Sequence, residues 1–163
     1  MKIVIVADIH DNIVNLEKLL GWCRDNKVDG IICAGDVTNA ETLQYLSENF
    51  FGTIYLIRGN MDIYEESEVN KYKNIKYLGR FGAIEIDKKI VGVCHEPSFI
   101  DELQKNNKCS LIFYGHTHKP WLEERNKTAI INPGTLGAVF QRASFAVWDT
   151  SSIKIELNLL ELI

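Results

Sequence analysis

Three apolar runs recur at regular intervals in the first 60 residues: KIVIV from Lys2, GIIC from Gly30 and TIYLI from Thr53. Each is rich in β-branched residues and apolar at consecutive positions, the pattern of a strand buried on both faces. The segments between them have helical period. Ile13, Leu16, Leu19, Leu20 and Cys23 share one face, opened by Asn12 as an N-cap, and Leu43, Leu46 and Phe50 share another. Thr38-Asn39-Ala40-Glu41 matches a capping box ahead of the second helix. Strand–helix–strand–helix–strand implies a parallel sheet with right-handed crossovers.

After a polar, irregular stretch from 62 to 74 the pattern changes to hairpins. Ala83 to Asp87 and Ile90 to Cys94 flank an Asp-Lys-Lys turn, and Ser98 opens a short helix with Phe99 and Leu103 one turn apart. Leu111 to Tyr114 and Ala129 to Asn132 read as strands. Ser144 to Trp148 should pair with the alternating run Ile153, Ile155, Leu157 and Leu159. The expectation is a two-sheet α/β layer structure in one domain over residues 1–163, a length able to bury a sizeable core.

Composition excludes several classes. The N-terminal apolar run is too short for a signal peptide and is interrupted by Asp8, and no segment approaches the roughly 20 apolar residues of a membrane span. A cytoplasmic protein without membrane contact is expected. A net charge of −4 gives no general attraction to nucleic acid, so stable nucleic-acid binding is not expected. Cys23, Cys33, Cys94 and Cys109 form no C-x-x-C pair and read as reduced core residues. Phe50, Phe51, Tyr55, Tyr64 and Trp121 are candidates for a homo-oligomer contact, core packing being the expected role of most.

Chemistry-bearing residues concentrate where the apolar strands stop. Asp8 and His10 follow the first, Gly35-Asp36 the second and Gly59-Asn60 the third; His95 follows VGVC, and Gly115-His116-Thr117-His118 follows LIFY. All four histidines of the chain fall in this set. Singly, an Asp or Asn after a strand is a turn former or cap, and a lone His a satisfied structural group. Jointly they converge, because ligands of open α/β sheets bind at the carboxyl ends of the strands. Imidazole, carboxylate and amide oxygen suit manganese, iron, zinc, cobalt or nickel. Asp8 and His10, like His116 and His118, stand two residues apart and can serve one ion or straddle two. Seven donors exceed the need of one catalytic ion with about three protein ligands. Two ions about 3.5–4 Å apart, bridged by a carboxylate, would use them all.

The ordered set D-x-H, G-D, G-N, a lone His and G-H-x-H, spanning residues 8 to 118, resembles the calcineurin-like metallophosphoesterase superfamily, and the short chain is most similar to its small bacterial and archaeal phosphodiesterases. Asn132-Pro133-Gly134-Thr135 resembles a further loop of that family. The resemblance implies two mixed sheets packed as a sandwich with helices outside. It also implies two divalent metal ions, with manganese favoured and nickel, iron, cobalt, zinc or magnesium also suited. Carried over by position, Asp8, His10 and His118 would hold one ion and Asn60, His95 and His116 the other, with Asp36 bridging. Asp36, Asn60 and His116 are the expected catalytic residues, and Asp62 would orient Asn60 or a ligand histidine, or cap a helix. The implied activity is hydrolysis of a small phosphate ester, a diester first. A phosphomonoesterase, or a non-catalytic scaffold resembling the retromer subunit of this fold, are the alternatives.

Two positions depart from the family pattern. Met61 stands where many relatives have His or Cys, and Glu96, expected to face solvent, stands where relatives usually have glycine. Other metal chemistries fit less well. His95-Glu96-Pro97-Ser98-Phe99 begins like H-E-x-x-H but has Phe at the second histidine and a proline that would break the helix. No phosphate-binding G-x-x-x-x-G-K-[ST] loop or G-x-G-x-x-G fingerprint occurs.

Overall fold

The strand β1 (Lys2–Val6) shows how the layers arise. Its side chains alternate between two different cores: Ile3 and Ile5 point one way, Val4 and Val6 the other, all fully buried. The structure, a computed structural model, describes residues 1–152 and 154–163.

Helix α1 (Ile13–Asp25) begins at Asn12, whose side chain accepts the Asn15 amide at 3.1 Å. Strand β2 (Gly30–Cys33), helix α2 (Ala40–Glu48) and strand β3 (Thr53–Leu56) follow. A single helical turn, α3 (Glu66–Val69), leads to the short strand β4 (Ile75–Tyr77). Strands β1 to β4 pair in parallel. Strands β10 (Ser144–Asp149) and β11 (Ile155–Leu159) extend the sheet antiparallel beyond β1, giving the order β11-β10-β1-β2-β3-β4.

The second sheet starts with the hairpin β5 (Phe81–Ile86) and β6 (Lys89–Cys94). Its turn is Asp87-Lys88, both at positive φ (50° and 65°), the geometry a two-residue hairpin loop requires. A 3₁₀ turn at Pro97–Phe99 runs into α4 (Ile100–Asn107). Then come β7 (Leu111–Phe113), β8 (Trp121–Arg125) and β9 (Thr128–Asn132), in the order β5-β6-β7-β9-β8. Both sheets are mixed, as the resemblance implies.

Three apolar cores hold four layers together. Leu16, Leu19, Leu43 and Leu46 of the first two helices pack on Val4, Val6, Ile31 and Cys33. Ile3, Ile5, Ile32, Val91, Val93, Phe113 and Trp148 fill the space between the sheets, and Ile100 and Leu103 cover Cys94 and Ile112 on the far side. All four cysteines are free and buried. No helix among the described residues is long and apolar enough to cross a membrane.

Several sequence expectations need correction. Thr38 does not cap α2; its backbone sits at φ 90°, and the N-cap is Asn39, whose side chain makes no cap bond. Strands β4 and β8 were not expected: one is three residues long, and the other is an edge strand exposed along most of its length. Position 153, expected to open the last strand, lies outside the described residues. Of the aromatic residues, Phe50 and Tyr64 are buried, whereas Phe51 is 95% exposed and Trp121 47%.

Trp148, fully buried between the sheets with its Nε1 donating to the Ser152 carbonyl at 3.1 Å, is the largest side chain in that layer. Trp148→Ala should cost about 3–5 kcal/mol of unfolding free energy. Urea denaturation followed by circular dichroism reads the change directly.

Candidate metal centre

Five strands deliver the donors. Asp8 and His10 follow β1, Asp36 follows β2, Asn60 follows β3, His95 follows β6, and His116 and His118 follow β7. The parallel pairing of β1–β3 in one sheet and β6–β7 in the other gives these strands a common direction, so their carboxyl ends open on one edge of the sandwich.

Strand ends can meet because they carry no side chain at the closest approaches. A Cβ built on Gly59 would lie 2.1 Å from Asp36 Oδ1. One on Gly35, which sits at φ 93°, would lie 2.7 Å from His95 Nδ1. These glycines therefore do more than allow turns.

All seven expected donors converge. Ligand atoms of Asp8, His10 and His118 lie within 4.8 Å of one another, and so do those of Asp8, Asp36 and His95. Asn60 Oδ1 is 2.9 Å from both His95 Nε2 and His116 Nδ1, which ties the last two donors to the second group. Asp36 Oδ2 spans the groups, 3.8 Å from His10 Nε2 and 3.3 Å from His95 Nε2. Asp8 is as central: its Oδ1 lies 3.5 Å from His118 Nε2 and 4.0 Å from both His10 and His95.

Backbone carbonyls decide which ring nitrogens face inward as acceptors. His95 Nδ1 donates to the Ala34 carbonyl at 2.8 Å, and His118 Nδ1 donates to the Val139 carbonyl at 3.1 Å. In each neutral ring the other nitrogen, Nε2, then carries a lone pair. The lone pair of His95 points at Asn60 Oδ1 and Asp36 Oδ2, both acceptors; that of His118 points at His10 Nε2, 3.1 Å away. Acceptors facing acceptors repel unless a proton or a cation lies between them. Neutral imidazole, carboxylate and amide oxygen are the donors that divalent first-row ions bind, so this chain's residues fit such ions.

Backbone strain collects at the same place. Asp8, His10, Asp36, His116 and His118 all have φ between 47° and 69°, a left-handed region that non-glycine residues adopt rarely. Such geometry persists where surrounding bonds overdetermine it, most often at functional sites.

Those surrounding bonds come from residues outside the seven donors. Asp11 accepts from the Asn39 amide at 3.0 Å and from the Thr42 hydroxyl, tying the start of α2 to the loop after β1. Buried Asn132 donates to the Gly115 carbonyl at 2.8 Å and to Thr117 Oγ1 at 3.0 Å, fixing the loop that carries His116 and His118. Thr135 Oγ1 donates to the Asp8 carbonyl. The resemblance of residues 132–135 to a family loop pointed at this segment without saying what it holds.

Two expectations change. Asp62 neither caps a helix nor touches Asn60 or a ligand histidine; it accepts the Thr38 amide at 2.8 Å and the Gly59 amide at 2.6 Å, clamping together the loops that bear Asp36 and Asn60. Arg58 donates to the Asp62 carbonyl at 3.2 Å and so braces the same loop. Glu96 does not simply face solvent: it pairs with Arg80 at 3.1 Å.

Electrostatics of the metal-free site are unfavourable for so many acceptors. Burial pushes the Asp8 carboxyl up to about 6, with His95 and His118 pulling the other way. Burial also acts on Asp36, but the hydrogen bond and charge of His95 outweigh it and hold this carboxyl below its usual range. Burial lowers His10. His95, opposed by burial, is raised by its bond to Asp36.

Asp8 should therefore destabilise the metal-free protein at neutral pH. The native state holds its proton more tightly than the unfolded chain does, so stability is full below about pH 4 and falls as pH rises through about 6. Asp8→Asn should raise metal-free stability at pH 7 by up to about 3 kcal/mol and weaken Mn²⁺ binding. Melting curves with EDTA at pH 4 and pH 7, beside metal titrations, test both. A variant no more stable at pH 7 contradicts this account.

The chain matches the model of the calcineurin-like phosphoesterase superfamily domain over residues 1–152. It is 30% identical over 140 residues to phosphodiesterase MJ0936 of Methanocaldococcus jannaschii, covering 82% of this chain and 83% of that protein. A solved archaeal phosphodiesterase superposes with a TM-score of 0.88 at 24% identity, covering 98% and 99% of the two chains. The Vps29 protein of Chaetomium thermophilum shares the fold with a TM-score of 0.74 at 18% identity, covering 96% and 86%. Sequence motifs, architecture and relatives agree, and the chain belongs to the calcineurin-like phosphoesterase superfamily.

Proposed function

We propose that this protein is a phosphodiesterase that hydrolyses a small phosphate ester at a centre of two divalent cations, manganese foremost. The observation that carries the reading is the convergence of carboxylate and amide oxygens with imidazole nitrogens, two of whose rings are fixed by backbone carbonyls. A degraded, scaffold-only site has no need to preserve every donor. The likeness to Vps29 is one of fold alone, and phosphodiesterase MJ0936 is the relative closer in sequence of the two.

Asp8, His10 and His118 would hold one cation and Asn60, His95 and His116 the other, with Asp36 between. When bound, the cations lower the pKa of a water toward neutrality and offset charge on the phosphoryl oxygens. Asp36 and Asp8 supply the negative charge that keeps them in place, and the carbonyls of Ala34 and Val139 keep the rings of His95 and His118 in the ligating tautomer. His116, exposed at the mouth, and Asn60 stand closest to an incoming ester among the second group.

Met61 shapes the leaving-group chemistry. Its amide donates to Asp36 Oδ1 at 2.8 Å, and its half-exposed side chain ends in a thioether. A thioether cannot donate a proton, so this position gives the departing oxygen no general acid. Activated aryl diesters should be cleaved much faster than alkyl diesters, and Met61→His should narrow the gap. Rates across a series of leaving groups of rising pKa measure it, and equal rates for aryl and alkyl esters contradict the role.

Asp36→Ala and His116→Ala should each lower kcat/KM on bis(p-nitrophenyl) phosphate by at least about 100-fold, equivalent to ~2.7 kcal/mol, while circular dichroism stays native. EDTA should abolish turnover and Mn²⁺ restore it. Full activity with EDTA present, or in both variants, removes the proposed centre.

A further inference from the structure

The loop after β9 carries a feature that the proposed chemistry does not use. Phe140 is 93% exposed, beside a site whose donors are otherwise polar. Its ring stacks on His118, with centroids 6.5 Å apart and planes inclined by 22°. Its backbone lies at φ 60°, as does that of Ala138, a conformation that a bulky residue adopts rarely.

This exposure is not the fraying of a loose loop. The Leu136 amide donates to the Ala7 carbonyl at 3.0 Å and the Gly137 amide to the Asp8 carbonyl at 2.8 Å. From α1, Asn15 donates to the Leu136 carbonyl at 2.7 Å, and Asn12 to that of Gly137 at 3.1 Å. His118 itself holds the Val139 carbonyl. A segment bonded on both sides to the candidate metal ligands thus presents a large apolar ring to water in a strained conformation. Water gains nothing from such a ring, and the polypeptide core does not bury it. The free face of a fixed aromatic ring attracts another flat π-system in an offset stack.

We propose that Phe140 is a stacking platform that seats a planar aromatic substituent of the phosphate ester, such as an aryl group or a nucleobase, next to the metal centre. The inference rests on the phosphoesterase reading and adds the class of substituent that the site prefers. Exposed Met61 follows Asn60 directly in the chain, whereas the aromatic ring stands next to His118. Stacking that forms equally with the bound ester and the reacting one lowers KM rather than raising kcat.

Two unhydrolysable probes isolate the effect without relying on turnover. Phenylphosphonate and methylphosphonate share the phosphonate group and differ in the ring. Calorimetric titration of the Mn²⁺-loaded protein should show tighter binding of phenylphosphonate by about tenfold, the scale of one aromatic stack. Phe140→Ala should remove most of that preference, Phe140→Trp should restore it, and Phe140→Leu should recover only part. Equal affinities in the wild-type protein, or an unchanged preference in Phe140→Ala, overturn the proposal. So does a Phe140→Ala variant that binds Mn²⁺ and both phosphonates more weakly in proportion, since the ring would then only pack against His118. Metal-dependent cleavage of bis(p-nitrophenyl) phosphate is measured separately. Its absence would sink the phosphoesterase reading while the phosphonate preference still reports on Phe140.

Discussion

Buried acceptor groups gathered with few donors between them are what the rest of this structure has to sustain. Asp8, Asp36 and His95 are almost wholly excluded from water, and the amide oxygen of Asn60 and the ring nitrogens of the other histidines crowd into the same space. Left alone, such groups would turn outward and hydrate. They are held by carbonyls on the far ring nitrogens of His95 and His118, by the His116 and Met61 amides on the carboxylates of Asp8 and Asp36, and by left-handed backbone at most of the donor positions.

The fold explains how so much restraint is available. Parallel strands end together, and each end exposes amides and carbonyls that the sheet no longer pairs. The loops use them. Asp8, Ile9 and His10 donate their amides to Gly35 and Asp36 of the neighbouring loop, and Gly115 donates to His95 in the second sheet. Gly115 lies so near Ala7 that an added Cβ would sit 2.9 Å from its side chain, which stitches one sheet edge to the other. Apolar packing between the sheets sets their separation, and that separation sets the distance between the donor groups they carry.

Much of this is legible in the chain because burial on both faces leaves a continuous apolar signature. KIVIV, GIIC and LIF could hardly be anything but central strands, and the polar residues following them stood out by contrast. What escaped notice had the opposite character. Strand β8 is an edge with both faces partly wet, so WLEER shows no alternation. Asp11 and Asp62 lie in loops and Asn132 closes β9, positions where short polar side chains are ordinary; Asp62 and Asn132 stand out in the sequence, but not for the bonds they make. Their role depends on which remote amide or carbonyl comes within reach, and no spacing rule encodes that. The capping-box reading of Thr38 failed for the same reason: its amide is taken by Asp62, 24 positions away, and its backbone is committed to that bond.

Asp11 and Asp62 point to a division of labour among the acids of this site. Asp8 and Asp36 meet imidazoles as well as the amides of His116 and Met61; Asp11 and Asp62 accept amides of residues outside the seven donors. Of the first pair, Asp8 is costly without a cation because burial raises its carboxyl to about 6, whereas His95 helps hold Asp36 below its usual range. The second pair makes its bonds whether or not a cation is present. A site arranged this way keeps its shape when empty, because the groups that fix the loops are not those the cation would neutralise. The metal-free protein would then stay organised to receive its ions, and the strain stored at Asp8, His10 and His118 is borne by the hydrogen bonds around them rather than by the metal.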